Sequence, residues 1–296
     1  MIISFADLLR QAQEEKFILG YFEAWDVYSL EAVVEAAEDE KSPVIIGFGG
    51  HTIDQSWFDG GGLERMGALS LTIGRQTKVM VSILLNEAKS LTQIVKGIKA
   101  GFNAVMLDVD DITDDNRLTA TKMVVEISHP NGVGVEGERN NLADSQSAFR
   151  SSNENFGLSN AYQVAEFIEK TGIDALSVAI GNIHLQTDFK VDIDWLRLEE
   201  IHKQVKIPLV VHGGSSLPED CINKLIEFGV AKVNVGTILK KVYFEGLRKA
   251  LADYSPKINY QYLLGCRNSQ DILNQAKSSL RQEIKRRIRL YRPCSN

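Results

Sequence analysis

The sequence predicts an α/β protein built as a closed barrel of eight strand and helix units, with additional helices at both ends. Three observations predict it. Short apolar runs recur along the whole chain, each followed by a segment with helical apolar spacing, the pattern of parallel strands joined by right-handed crossovers. A length of 296 residues and 44% hydrophobic content suffice for one large core, and no repeat, linker or composition shift divides residues 1–296, so a single barrel domain is expected. Two glycine-bearing turns, His212-Gly213-Gly214-Ser215 and Asn234-Val235-Gly236-Thr237, end consecutive late strands, where barrels of this kind bind phosphate.

The units follow in order. MIISFADLLRQAQEEKF reads as an amphipathic helix with acids inside it, not a targeting peptide. Residues 17–22 form the first strand, and 28–38 a helix with Leu30, Val33, Val34 and Ala37 on one face. Residues 43–49 are the second strand; its exit carries His51, Asp54 and Trp57, and Gly60 to Gly62 read as flexible, either a lid hinge or a loop of no consequence. The third strand spans 78–85, with a helix over 90–100. The fourth spans 102–108, with a helix over 114–128 that Asp110 and Asp111 are expected to cap. Residues 132–138 make the fifth strand. The polar stretch 139–157 has no periodic apolar face and reads as a candidate mobile loop over the mouth. A helix over 159–170, a sixth strand over 174–181 and a helix over 194–205 lead to the seventh strand from 207. Pro218, Glu219 and Asp220 start the helix before the eighth strand. The tail, 238–291, is helical with a break around 255–262.

Composition narrows the class. A net charge of −6 argues against a nucleic-acid surface, and the basic C-terminal KRRIRLYR reads as a solvated last helix. Cys221, Cys266 and Cys294 are odd in number and far apart, with no CxxC, so a reduced, soluble cytoplasmic protein is expected. Nothing reaches transmembrane length.

Residues at strand exits face the shared mouth of such a barrel. They are Glu23, His51, Asn86, Glu87, Asp108, Asp110, Asp111, Glu136, Glu138, His184 and His212. Imidazoles and carboxylates converging on one point suit Zn²⁺, Mn²⁺, Fe²⁺ or Co²⁺. His184 and His212 leave adjacent strands, which lie about 4.8 Å apart; one ion could bridge them, or each is a hydrogen-bonded polar residue of the mouth. Backbone N–H groups of Gly213, Gly214 and Ser215, and of 234–237 at a helix start, suit an anion. A phosphorylated small molecule would therefore lie against His212. His129, before Pro130, and His202, on an outer helix, read as structural.

VVHGGSS, AKVNVGT, DALSVAIGNIH, KAGFNAVMLD and ILGYFEAWDVYSLEAVVEAAEDEKSPVII together resemble the class II, metal-dependent ketose-bisphosphate aldolases, the fructose- and tagatose-bisphosphate enzymes. The resemblance runs in order over nearly the whole chain. It implies a TIM (β/α)8 barrel, a homodimer or homotetramer, and reversible aldol cleavage of a ketose phosphate to dihydroxyacetone phosphate and an aldehyde. It also implies a divalent ion, usually Zn²⁺, that polarises the substrate ketone. By position, His184 and His212 match two of the family's three zinc histidines. Gly213, Gly214 and Ser215, with Asn234, Val235, Gly236 and Thr237, match its phosphate cradle, and Asp108 and Glu138 match acids lining the metal site.

The third strand departs from that pattern. The family carries His-Leu-Asp-His, and this chain has Leu84-Leu85-Asn86-Glu87. Asn86 stands in the catalytic Asp position and Glu87 in that of the third zinc histidine. Asn cannot transfer a proton at neutral pH, which leaves Glu87, Glu138 or Glu154 for that role. A ligand set of two histidines and one carboxylate shifts preference toward Mn²⁺ or Fe²⁺. Leu185 replaces a phosphate-binding Gly, Glu23 an Asn, and Arg139-Asn140-Asn141 a Gly-rich turn. Three functions stay open: a lyase with altered acid/base and sugar specificity, a phosphosugar epimerase or isomerase using the same enediolate chemistry, and a non-catalytic phosphosugar-binding paralogue.

Overall fold

Eight parallel strands close on themselves in sequence order, with β8 paired back onto β1 through Leu19–Lys232, Tyr21–Asn234 and Phe22–Val235. The chain is therefore a TIM (β/α)8 barrel, as its alternation of apolar runs and helices predicts. The computed structural model describes residues 1–110, 112–140, 158–182, 191–252 and 259–292. Its elements are α1 (Phe5–Glu14), β1 (Leu19–Phe22), α2 (Val27–Asp39), β2 (Val44–Gly49), α3 (Gln55–Trp57), α4 (Leu63–Gln76), β3 (Val81–Ala88), α5 (Leu91–Ala100), β4 (Ala104–Leu107) and α6 (Asp114–Ser128). There follow β5 (Gly134–Glu138), α7 (Ala161–Thr171), β6 (Ala175–Ser177), α8 (Trp195–Gln204), β7 (Leu209–Val211), α9 (Ile222–Glu227), β8 (Val230–Val235), α10 (Thr237–Ala252), α11 (Tyr260–Leu263) and α12 (Ile272–Tyr291).

The core has two parts. Tyr21, Ile45, Leu84, Ala104, Ala175, Val210 and Ala231 point into the barrel, where they meet Phe5, Leu8, Leu9 and Ala12 of α1. The first helix thus closes the N-terminal end, and the mouth lies at the other. A larger layer, including Ile46, Ile83, Val105 and Val233, fills the space between barrel and helices. Local chemistry fixes the helix starts: Asp26 and Ser29 form a reciprocal capping box on α2, Ser90 caps α5, and Asp194 caps α8.

Several expectations are corrected. Gly60 and Gly61 leave helical geometry, Gly61 at φ 101°, and make a kink between α3 and α4, a helix the sequence reading missed. Its buried residues Leu63, Met66, Gly67, Ser70 and Gly74 keep helical spacing, but the small residues among them hide the period. Strand β3 runs three residues later than expected, through Asn86 and Glu87, because polarity there marks the mouth and not the end of the strand. Thr113, not Asp110, stands at the N-cap of α6; the Asp110 N–H instead donates to Asp108 Oδ1 at 2.9 Å. Asp111 lies outside the described residues, as does most of 139–157. The expected break at 255–262 overlaps α11, and residues 253–258 lie outside the described set. Helix α12 is not merely solvated. Ile284, Arg287, Ile288 and Tyr291 are buried, and Lys277, Arg281, Lys285 and Arg289 pair with Glu31, Glu35, Asp39 and Glu40 of α2 and its C-cap. Among the described residues no helix is long and apolar enough to cross a membrane.

Candidate active site

The polar mouth is built by residues that alternate inward along each strand and by one exception to alternation. On β5, Glu136 and Glu138 are two apart and share a face. Glu136 is the deeper. It meets His212 Nε2 of the β7 exit at 2.7 Å and Lys232 Nζ of β8 at 2.7 Å, and all three are buried. Lys232 also donates to Asn234 Oδ1, and the Asn234 amide lies 3.0 Å from His212 Nε2. The charges are coupled: burial alone would push the Glu136 carboxyl up, but Lys232 and His212 outweigh it and hold it below its ordinary value.

The exception is Glu87. Strand alternation would turn it away from Asn86, but its φ is 55° and the β3–β4 register shifts between Leu85 and Ala88. A bulge of this kind re-aims a side chain, and a non-glycine residue in the left-handed region costs about 1 kcal/mol or more. The backbone reversal brings Asn86 and Glu87 into the same cleft. The Asn86 amide donates to Glu87 Oε2 at 2.9 Å, His51 Nδ1 lies 2.8 Å from that same oxygen, and His212 Nδ1 lies 3.6 Å from Glu87 Oε1. Burial alone would lower the His212 imidazole, but its bonds with Glu136 and Glu87 push it up to about 9. His51 is also raised: burial opposes its charge, and Glu87 outweighs burial.

Glu138, at the end of β5, is buried and accepts from Ser177 Oγ at 3.4 Å. Burial pushes its carboxyl up to about 8; His212 opposes the shift, and Glu87, Asp110 and Asp108 add to it. Asp108 meets Lys89 Nζ at 2.7 Å. His129 and His202 lie away from the mouth as expected, His129 paired with Asp174 and His202 on α8 against Phe228.

On the far wall, the two expected turns face the cleft together. Gly213 has φ 71°, and a side chain at Gly214 would run into Val233 and the Asn234 carbonyl, so this chain path needs glycine. The Ile238 N–H, in the first turn of α10, donates to Ser215 Oγ at 3.1 Å, which ties one turn to the other. Gly213, Ser215, Asn234, Val235, Gly236 and Thr237 line the same cleft as His51, Asn86, Glu87 and His212. The dipole at the start of α10 suits this wall to an anion, but fewer amides serve it than expected: the Gly214 N–H donates to the Asn234 carbonyl at 2.8 Å and the Leu239 N–H to the Gly236 carbonyl at 2.9 Å.

Sequence reasoning missed four supports. Lys232 was visible as a lone charge in an apolar strand. Lys240, one turn into α10, lines the cleft, and the Asn182 amide donates to the His212 carbonyl at 3.1 Å. Arg287 of α12 donates to the Gly214 carbonyl at 2.9 Å; nothing in the sequence links positions so far apart.

The divalent ion that the resemblance implies would meet donors of suitable type in the cleft. His212 offers Nδ1 toward Glu87 while Glu136 holds its other nitrogen, the carboxylate-behind-imidazole arrangement common to metal-bound histidine. Ligands with bonds of about 2.0–2.2 Å to one ion stand a little over 3 Å apart, and the Glu87–His212 separation suits that spacing. His184, the other expected ligand, lies outside the described residues, as do Glu154 and Leu185. Among the described residues no group of three or more His, Cys, Asp or Glu is arranged to hold a metal. Two donors therefore fit, in type and spacing.

Comparison with known proteins places the chain. The sequence model described as fructose-bisphosphate aldolase class-II matches residues 3–294. A sulfofructosephosphate aldolase from Alkalicoccus urumqiensis is 28% identical over 289 residues, covering 98% of this chain and 96% of that protein. A probable fructose-bisphosphate aldolase from Bacillus subtilis (strain 168) is 30% identical over 262 residues, 86% of this chain and 90% of that one. Among solved structures, the YdjI aldolase from Escherichia coli K12 superposes with a TM-score of 0.79 at 23% identity, covering 98% of this chain and 97% of that chain.

Proposed function

The chain belongs to the class II fructose-bisphosphate aldolase family, and from that premise we propose that it is a metal-dependent lyase. In this reading it cleaves a ketose phosphate reversibly to dihydroxyacetone phosphate and an aldehyde. The observation that carries the reading is the convergence of Asn86, Glu87 and His212 with both glycine turns on one cleft.

Each part has a role in it. The turns at 213–215 and 234–237 hold the phosphate shared by substrate and triose product. Glu87 and His212, with His184, would hold the divalent ion, with Asp108 and Glu138 lining the site, and the ion would supply Lewis-acid polarisation of the substrate carbonyl. Glu136 orients His212 from behind. Asn86 hydrogen-bonds substrate oxygen but moves no proton. Glu138 would take the proton-transfer role: in condensation its carboxylate takes the proton from the triose carbon and gives it to the aldehyde oxygen as the C–C bond forms. In cleavage it takes the hydroxyl proton and, as that bond breaks, returns it to the triose carbon, so no proton is gained or lost overall. The changed residues lie at the reacting end and not in the cradle, so the aldehyde half of the substrate is where specificity differs.

The test is a panel of ketose phosphates assayed for dihydroxyacetone phosphate release before and after chelation, with added Zn²⁺, Mn²⁺, Fe²⁺ or Co²⁺. Metal-restored release supports the lyase. Sugar interconversion without triose product replaces it with an epimerase, and phosphosugar binding without metal or turnover replaces it with a non-catalytic paralogue. Glu87→Ala should lose the ion on gel filtration; a variant that keeps both ion and activity removes Glu87 from the ligand set.

A further inference from the structure

The β1 side of the cleft carries an anion of its own. Glu23 leaves β1 between the exits of β2 and β8, its backbone N–H bonded to the Val235 carbonyl at 3.0 Å. Its side chain lies down over the start of α10. A side chain at Gly236 would collide with Glu23 Oε2, so the carboxylate rests against the bare backbone of the turn that otherwise faces an anion. Glu23 Oε1 accepts from Lys240 Nζ at 2.8 Å and from Thr52 Oγ1 at 3.3 Å. One carboxylate thus lies over the backbone at the start of a helix and pairs with a lysine lining the cleft, two features suited to a phosphate.

We infer that Glu23 is a specificity-determining residue, an internal anion that competes with the substrate phosphate for Lys240 and for the N-terminus of α10. The inference rests on the reading of the 234–237 turn as an anion cradle. A phosphate entering the cradle either draws Lys240 away from Glu23 or lies beside an uncompensated carboxylate, and both weaken its hold. The site therefore takes an anionic group less tightly than its amides and lysine alone would, and selects substrates whose remaining contacts make up the difference. The bland alternative is an exposed ion pair of no functional weight, as most surface pairs are. Gly236 argues against it: the carboxylate lies on the cradle's own backbone, not out along the helix.

Titration calorimetry with inorganic phosphate separates the readings, using the full chain and the Glu23→Gln, Lys240→Met and double variants, each checked for an unchanged thermal midpoint without ligand. Glu23→Gln keeps the shape and removes the charge, so phosphate affinity should rise on the order of tenfold, and Lys240→Met should lower it by a similar factor. In the Lys240→Met background the gain from Glu23→Gln should persist, because repulsion between Glu23 and the bound anion remains. Equal affinities in wild type and Glu23→Gln overturn the role of Glu23 and leave the cradle standing. Absence of phosphate binding in every variant overturns the cradle and this inference with it.

Discussion

At the scale of single residues, the chemistry turns on a carboxyl whose proton stays on longer than usual. Glu138 is raised chiefly by burial, to about 8. Cleavage and condensation exchange no net proton, so their pH profiles must share one shape: each direction begins from the Glu138 carboxylate, and kcat/KM for both should rise as pH rises through about 8. Glu138→Gln should flatten both limbs and lower each rate by about 10²- to 10⁴-fold; two unchanged pH profiles in that variant would assign the proton to another group. His212 was legible from its Gly-Gly-Ser-Ser context. The partners that set its charge were not, because Glu136 and Lys232 reach it from other strands.

At the scale of elements, the site depends on a helix far from it in sequence. Arg287 is buried, pairs with Glu283 and donates to the Gly214 carbonyl. Arg287→Ala should leave that carbonyl without its partner, cost about 1–3 kcal/mol of stability and raise KM for the phosphorylated substrate more than it lowers kcat. Steady-state kinetics beside a urea melt would show whether both changes occur. Tyr291 of the same helix stacks on Phe22 of β1, with ring centroids 6.4 Å apart and planes within 7°. Its replacement by Ala should cost about 3–5 kcal/mol, read as a lower urea midpoint. The strands were largely legible because each is a short apolar run, and the glycine turns because their residue types admit few chain paths. Helix α4 was not, since buried Gly67, Ser70 and Gly74 carry no apolar signal. Asn86 and Glu87 were both expected at the mouth, but the bulge that brings them there together was not legible, since alternation allows only one of two neighbours to face it.

At the scale of the whole molecule, the barrel is strapped by charge as well as by its core. Asp39 is held below the usual carboxylate range by hydrogen bonds from Lys285 and Arg281, and Glu40 by its bond with Arg289. A carboxylate lowered on folding stabilises above its unfolded value, and that contribution disappears as pH falls through the folded value. Glu138, raised on folding to about 8, favours the folded state as pH falls from 7 to about 5, so the thermal midpoint should rise over that interval and decline below about pH 4 as the strap is lost. Asp39→Asn should soften that decline; a midpoint independent of pH over this range would show that the α2–α12 pairs contribute nothing. The closed order of strands followed from the repeat of units along the sequence. The seal made by α1 and the strap made by α12 did not, because an amphipathic helix shows that it is covered and not what covers it.

The reversed backbone at Glu87 gives the third strand of this chain a property that ordinary strands lack. Two adjacent codons address one chamber from one rib of the cylinder, so its reactive furniture can be exchanged as a pair while the wall behind stays as it is. Divergence within such a lineage needs no new loop, only a different dipeptide on the same kink.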